Sequence, residues 1–327
     1  MKRWVMALAL LAACMAQALA QRPLLQLVHD YPLPGRATRW DYASIDPSHA
    51  RLILAHLGDD AVVVFDTHGK SVLGQVRHLT RVHGVLAVPE RGHIYATATG
   101  TDELAVIDGT SLQVIARVPV GRYPDGLAYA PAAGKVYVSD KDGKTESVVD
   151  ARTNRRIATV ALGSAVGNSQ YDPVSGHVFV NAQDAGELVE IDPATDRIVA
   201  RTRLPGADGN HGLLIAPGLG LAFIACEGND KLLVLDLPTR RVTAEFKVQG
   251  EPDVLAYDPG LGILYVATES GPLHMFRAGR QGVARLGQVH VGPNAHTVTV
   301  DPVSHEVYFP LMQVGAGPVL RVMRPRP

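Results

Sequence analysis

Of seven positions about 42 residues apart, six carry the side chains best suited to chemistry in this 327-residue chain. Counting back five residues from each strand-ending Asp-Pro, Val-Pro or Ala-Pro pair gives Asp41, His83, Asp125, Gly167, His211, Asp253 and His296. The intervals are 42, 42, 42, 44, 42 and 43. Imidazole is the commonest neutral ligand for Zn, Cu and Ni, and carboxylates add charge compensation. His83, His211 and His296 are therefore the candidate metal ligands, for a divalent transition ion (Cu, Zn or Ni). Asp41, Asp125 and Asp253 stand beside them, suited to orienting each imidazole. Taken singly, each aspartate also has a plainer use: it can accept backbone N–H groups in a turn such as Pro124-Asp125-Gly126.

A second layer follows ten residues after each Asp-Pro aspartate or its equivalent: His56, Ala98, Asp140, Ala182, Cys226, Thr268 and Leu311. Glu227 and Glu269 come next in their repeats, and Arg122 and Asn210 lie in neighbouring loops. The candidate ligand-binding set is thus Asp41, Asp125, Asp253, His56, Asp140, Cys226, Glu227, Glu269, Arg122 and Asn210. A lone cysteine is usually a small buried hydrophobe, which is the plain reading of Cys226. Asp140, Asp142, Gly143 and Glu146 have a fragment of calcium-loop spacing without the full ligand set.

The elements that must position these residues repeat with them. The units begin WDYASIDP, HGVLAVPE, DGLAYAPA, GNSQYDPV, HGLLIAPG, DVLAYDPG and HTVTVDPV, from residues 40, 83, 125, 167, 211, 253 and 296. Each continues through further short runs rich in Val, Ile, Leu and Tyr, separated by Gly, Pro and Asp. Four such strands per unit of about 42 residues are propeller blades. The expected fold is all-β: a seven-bladed β-propeller of four-stranded antiparallel blades, formed by residues 21–327 as a single domain. The last unit supplies only three strands, ending near residues 318–323. Residues 24–35 match the fourth-strand pattern and are expected to complete the last blade, closing the ring.

Residues 1–20 are a different object. Lys2 and Arg3 precede an apolar run, and Ala18-Leu19-Ala20 offers a cleavage site before Gln21, the pattern of a secretory signal peptide. The expected location is periplasmic or secreted. Leu11 to Cys14 resembles a bacterial lipobox, so a lipid anchor at Cys14 is the alternative. The rest of the chain has no membrane-spanning run. With signal cleavage, Cys226 is the one cysteine left, so no intramolecular disulfide framework stabilises the domain. Charged residues are 19% and the net charge is −1, which disfavours nucleic acid as a partner. The chain has no P-loop, no His-Glu-x-x-His, no Cys-x-x-Cys-His and no Gly-x-Ser-x-Gly.

The second-strand runs Tyr95 to Ala98, Tyr137 to Asp140, Phe179 to Ala182, Phe223 to Cys226 and Tyr265 to Thr268 resemble the YVTN-type repeat. With the Val-Ile-Asp and Glu-Ile-Asp strand ends, the chain resembles YncE-like exported seven-bladed propellers over residues 24–323. That resemblance implies the fold and an exported binding module. The expected function is binding of a metal ion or small polar ligand at the axial His/Asp site. A metal-dependent lyase or hydrolase is the alternative. The plan resembles lactonase-like and streptogramin-lyase-like propellers, although no glutamate occupies the ring positions. An interaction scaffold with a protein partner is the third reading.

Overall fold

Short runs of β-branched and aromatic residues, cut by Asp and Gly, can bury themselves only as strands stacked face to face. In the computed structural model, which describes residues 23–326, they form seven four-stranded antiparallel sheets in a propeller ring. The segment read as a signal peptide, including Cys14, lies outside the described residues. The innermost strands are Ala43–Asp46, Val82–Val88, Pro124–Ala130, Val166–Asp172, Asn210–Ala216, Pro252–Asp258 and Thr299–Val300. They head blades one to seven and surround an axial cavity of about 330 Å³.

Burial follows strand order. Second and third strands are buried almost throughout, as in Lys231–Asp236, whereas the outer strand Arg241–Lys247 alternates exposed and half-buried residues. The apolar core is seven separate clusters, one in each gap between neighbouring blades. The second-strand aromatics fill these gaps: Tyr95, Tyr137, Phe223 and Tyr265 are fully buried. The recurrent Asp at third-strand ends caps the turn that follows. Asp108, for example, accepts the backbone N–H groups of Thr110 and Ser111, at 3.1 and 2.7 Å.

Closure takes the expected route. Strand Leu25–Pro32 pairs antiparallel with Gly317–Pro325, running from Leu25 opposite Pro325 to Pro32 opposite Val319. Arg321 donates to both oxygens of Asp30, at 2.8 and 2.6 Å, clamping the seam. Trp40, Leu52, Leu54, Tyr308 and Leu320 then fill the gap between blades seven and one. Deleting residues 24–35 opens an edge and empties part of two core layers. The thermal midpoint followed by circular dichroism is expected to fall by about 10 °C or more; an unchanged midpoint would show that closure does not depend on this strand.

Candidate functional site

A backbone irregularity aims the ring residues. In blades two to six the first-to-second strand pairing slips at the ring position: Val82 opposes Ala98 but Val85 opposes Ala96, so His83 and Gly84 together face Thr97. The same two-against-one slip recurs at Asp125, Gly167, His211 and Asp253. Such a bulge turns a side chain out of the sheet's ordinary alternation, here toward the channel mouth. A left-handed residue often stands two places earlier: Arg81, Tyr123 and Glu251 have φ of 52°, 58° and 59°. An aspartate of the preceding blade holds each turn, as when Asp60 accepts the Arg81 N–H at 2.7 Å and Asp102 that of Tyr123 at 2.9 Å.

In blades two and four the side chain facing the bulge latches neighbouring blades together. Thr97 accepts the Gly84 N–H at 2.7 Å and donates to the Asp125 carbonyl at 2.9 Å. Asn181 donates to the carbonyls of His211 and Gly212, at 3.0 and 3.1 Å. A small residue after the ring position lets the next blade approach: a Cβ at Gly84 or Gly212 would collide with the carbonyl of Asp125 or Asp253.

Asp41, His83, Asp125, His211, Asp253 and His296 are all buried. Among the described residues no backbone N–H reaches the carboxylates of Asp41, Asp125 or Asp253, so the turn-capping role expected of them does not hold. Their neighbours are the other mouth residues. His211 Nε2 lies 3.6 Å from Asp253 Oδ1 and 3.8 Å from Asp125 Oδ2. Asp125 Oδ1, His211 Nδ1 and His296 Nε2 are buried and have no hydrogen-bond partner among the described residues.

Among the described residues, two groups bring metal-ligating atoms within 4.8 Å of one another: His211, Glu227 and Asp253, and Asp253, Glu269 and His296. Asp253 belongs to both. His83 belongs to neither, because its Nδ1 bonds the Arg81 carbonyl at 2.8 Å and its Nε2 faces the Tyr123 hydroxyl at 3.3 Å.

The other sequence candidates disperse. His56 stacks on Trp40 at 3.7 Å between ring centres and bonds Thr38 at 3.0 Å. Asp140 accepts from the Gly121 N–H and from the Thr145 and Ser147 hydroxyls, which fixes a loop. Asn210 donates to Asn181 and to the Glu187 carbonyl, at 3.2 and 3.1 Å. Cys226 is fully buried in the core between blades four and five, where burial pushes its thiol up to about 12. The Arg122 side chain is largely exposed and donates to the Asp142 carbonyl.

Three mouth residues were not singled out from the sequence. Arg39 grips both oxygens of Glu269, at 2.9 and 2.6 Å, and approaches Asp41 at 3.4 Å. The Tyr42 hydroxyl bonds His211 Nε2 at 2.8 Å. Lys141 sits in the field of Asp125 and Glu227, which hold its pKa above the ordinary value although burial works the other way. A signal for Tyr42 did exist: it follows the ring position, where three other repeats carry glycine (Gly84, Gly126 and Gly212).

Crowded carboxylates in a poorly solvated place resist ionising. Burial, then the charge of Asp125, pushes the Asp41 carboxyl up to about 8, with Arg39 opposing. Asp253 is held well above the usual range by burial and then by Glu227 and Asp41. Glu269 differs: burial works against its charge, but the hydrogen bonds from Arg39 prevail and keep it ionised. Burial and then Arg39 lower His296 to about 4, so it stands neutral.

No family profile and no curated protein matches the chain. Among solved structures it is similar to a chain of hydrazine synthase from Kuenenia stuttgartiensis. The identity is 15% and the TM-score 0.74, covering 91% of this chain and 97% of that one. It is also similar to the WD40 repeats of RRP9, at 10% identity and a TM-score of 0.77, covering 92% and 97%. U3-55K gives 10% identity and a TM-score of 0.76, covering 92% and 98%. At such identities the likeness shows the fold alone.

Two outcomes follow for the metal-free protein. Asn181→Leu strands two buried carbonyls and is expected to cost about 2–4 kcal/mol in urea denaturation. The Asp41 carboxyl keeps its proton to about pH 8 when folded but loses it near 3.8 when unfolded, so its contribution to stability falls as pH rises between those values. Asp41→Asn should therefore be more stable than wild type at pH 8, the gain vanishing below about pH 4; equal melting curves at pH 8 would refute this.

Proposed function

We propose that this protein is an exported propeller whose channel mouth binds a transition-metal ion between His211, Glu227 and Asp253. The observation that carries the reading is the convergence of one imidazole and two carboxylates within 4.8 Å on a shared axis. An ion there offsets the burial and the neighbouring negative charges that hold the Asp253 carboxyl above its ordinary range. It also lies beside the unpartnered oxygen of Asp125, whose other oxygen is 3.8 Å from His211.

The second group is the weaker claimant, because Arg39 already occupies both oxygens of Glu269 and supplies the positive charge that an ion would bring. The resemblance to YncE-like exported propellers supports a binding module, and the apparent signal peptide supports export. Metal content after reconstitution with Zn, Cu, Ni or Fe is expected to reach about one ion per chain. Asp253→Asn and His211→Ala should each weaken binding about 10–100-fold, and Glu269→Gln much less. Metal content well below one ion per chain with every ion in that panel sinks the reading.

A further inference from the structure

The Tyr42 hydroxyl, His211 Nε2 and Asp253 Oδ1 form a compact triangle. Its edges are 2.8 Å from Tyr42 to His211, 3.5 Å from Tyr42 to Asp253, and 3.6 Å from His211 to Asp253. The point equidistant from the three corners lies roughly 2 Å from each, the length of a bond from a transition metal to nitrogen or oxygen.

Tyr42 reaches this place from blade one, across the channel from blades five and six, which carry His211 and Asp253. Its position follows the ring aspartate, where Gly84, Gly126 and Gly212 stand in other repeats. One repeat of the seven thus sends a phenol over the axis toward the two best-placed ligands.

We infer that Tyr42 is a metal ligand, its phenolate oxygen completing a set of His211, Glu227 and Asp253, and that the ion this set fits best is ferric iron. On binding, the phenol O–H bond breaks, the oxygen lone pair bonds the ion and the proton leaves to solvent. Three anionic oxygens and one nitrogen are a hard donor set, suited to a small trivalent cation above the divalent ions that the histidines alone would select. With three negative donors, such an ion is bound as a locally neutral unit, without the excess charge that makes a buried site costly. The inference rests on the metal-binding reading and adds the fourth ligand and the ion class.

The test is a titration of the full mature chain with ferric nitrilotriacetate, read by iron content and by the visible spectrum. A phenolate bound to ferric iron has a charge-transfer band that carboxylate and imidazole ligands do not produce. Wild type is expected to take up one iron and show the band. Tyr42→Phe should lose the band and bind iron at least about tenfold more weakly, since even the loss of an outer-shell partner costs that much. Tyr123→Phe, which alters the neighbour of His83, should keep the band.

Iron bound with no band, or a band that survives in Tyr42→Phe, overturns the ligand role of Tyr42 and leaves the metal site standing. No iron on wild type, with Zn or Cu still bound, overturns both the phenolate and the ferric assignment. No ion of any kind overturns the metal reading as well. A near-ultraviolet circular dichroism spectrum of Tyr42→Phe matching metal-free wild type outside the lost tyrosine contribution, with an unchanged melting midpoint, separates a lost ligand from a misfolded ring.

Discussion

The pairing of Leu25–Pro32 with Gly317–Pro325 is the contact on which everything else rests. A propeller blade has two apolar faces and can bury both only if it has a neighbour on each side. Six of those interfaces join repeats that are consecutive in the chain. The seventh, with Trp40, Leu52 and Tyr308, exists only when the ends meet. Arg39, Asp41 and Tyr42 lie just beyond the closing strand, so the contact that shuts the ring also delivers three of the mouth residues.

Within the closed ring, direction comes from a repeated departure from regular sheet geometry. Left-handed turns and bulges at the starts of blades take the ring side chains out of the alternation that would send them into the gaps between blades. Thr97 and Asn181 hold the displaced backbone by bonding across to the next blade. Non-glycine residues in left-handed turns store strain of order 1 kcal/mol each, and the buried aspartates add electrostatic repulsion to it.

Electrostatics sharpen the contrast. The chain as a whole is close to neutral, yet the mouth gathers Asp41, Asp125, Asp253, Glu227 and Glu269 around Arg39 and Lys141. Arg39 settles Glu269 by a two-pronged hydrogen bond and leaves Asp253 to be compensated by something else. The asymmetry divides the two candidate metal groups, which look alike as lists of residues.

Much of this was legible in the chain. The spacing of the Asp-Pro, Val-Pro and Ala-Pro pairs, the apolar runs between them and the missing fourth strand of the last repeat determined seven blades, their strand order and the closing strand. Those are local properties: alternation and turn chemistry act over a few residues, and a repeat writes them seven times. The ring positions were readable for the same reason. Which ring residues meet was not. The approach of Tyr42 to His211, the seclusion of His83 against Tyr123 and the turning of Arg122 to solvent depend on distances across the channel and on the bulges that aim each side chain. Those distances are set by closing seven blades on one axis, so they exist in the folded ring and in no single repeat.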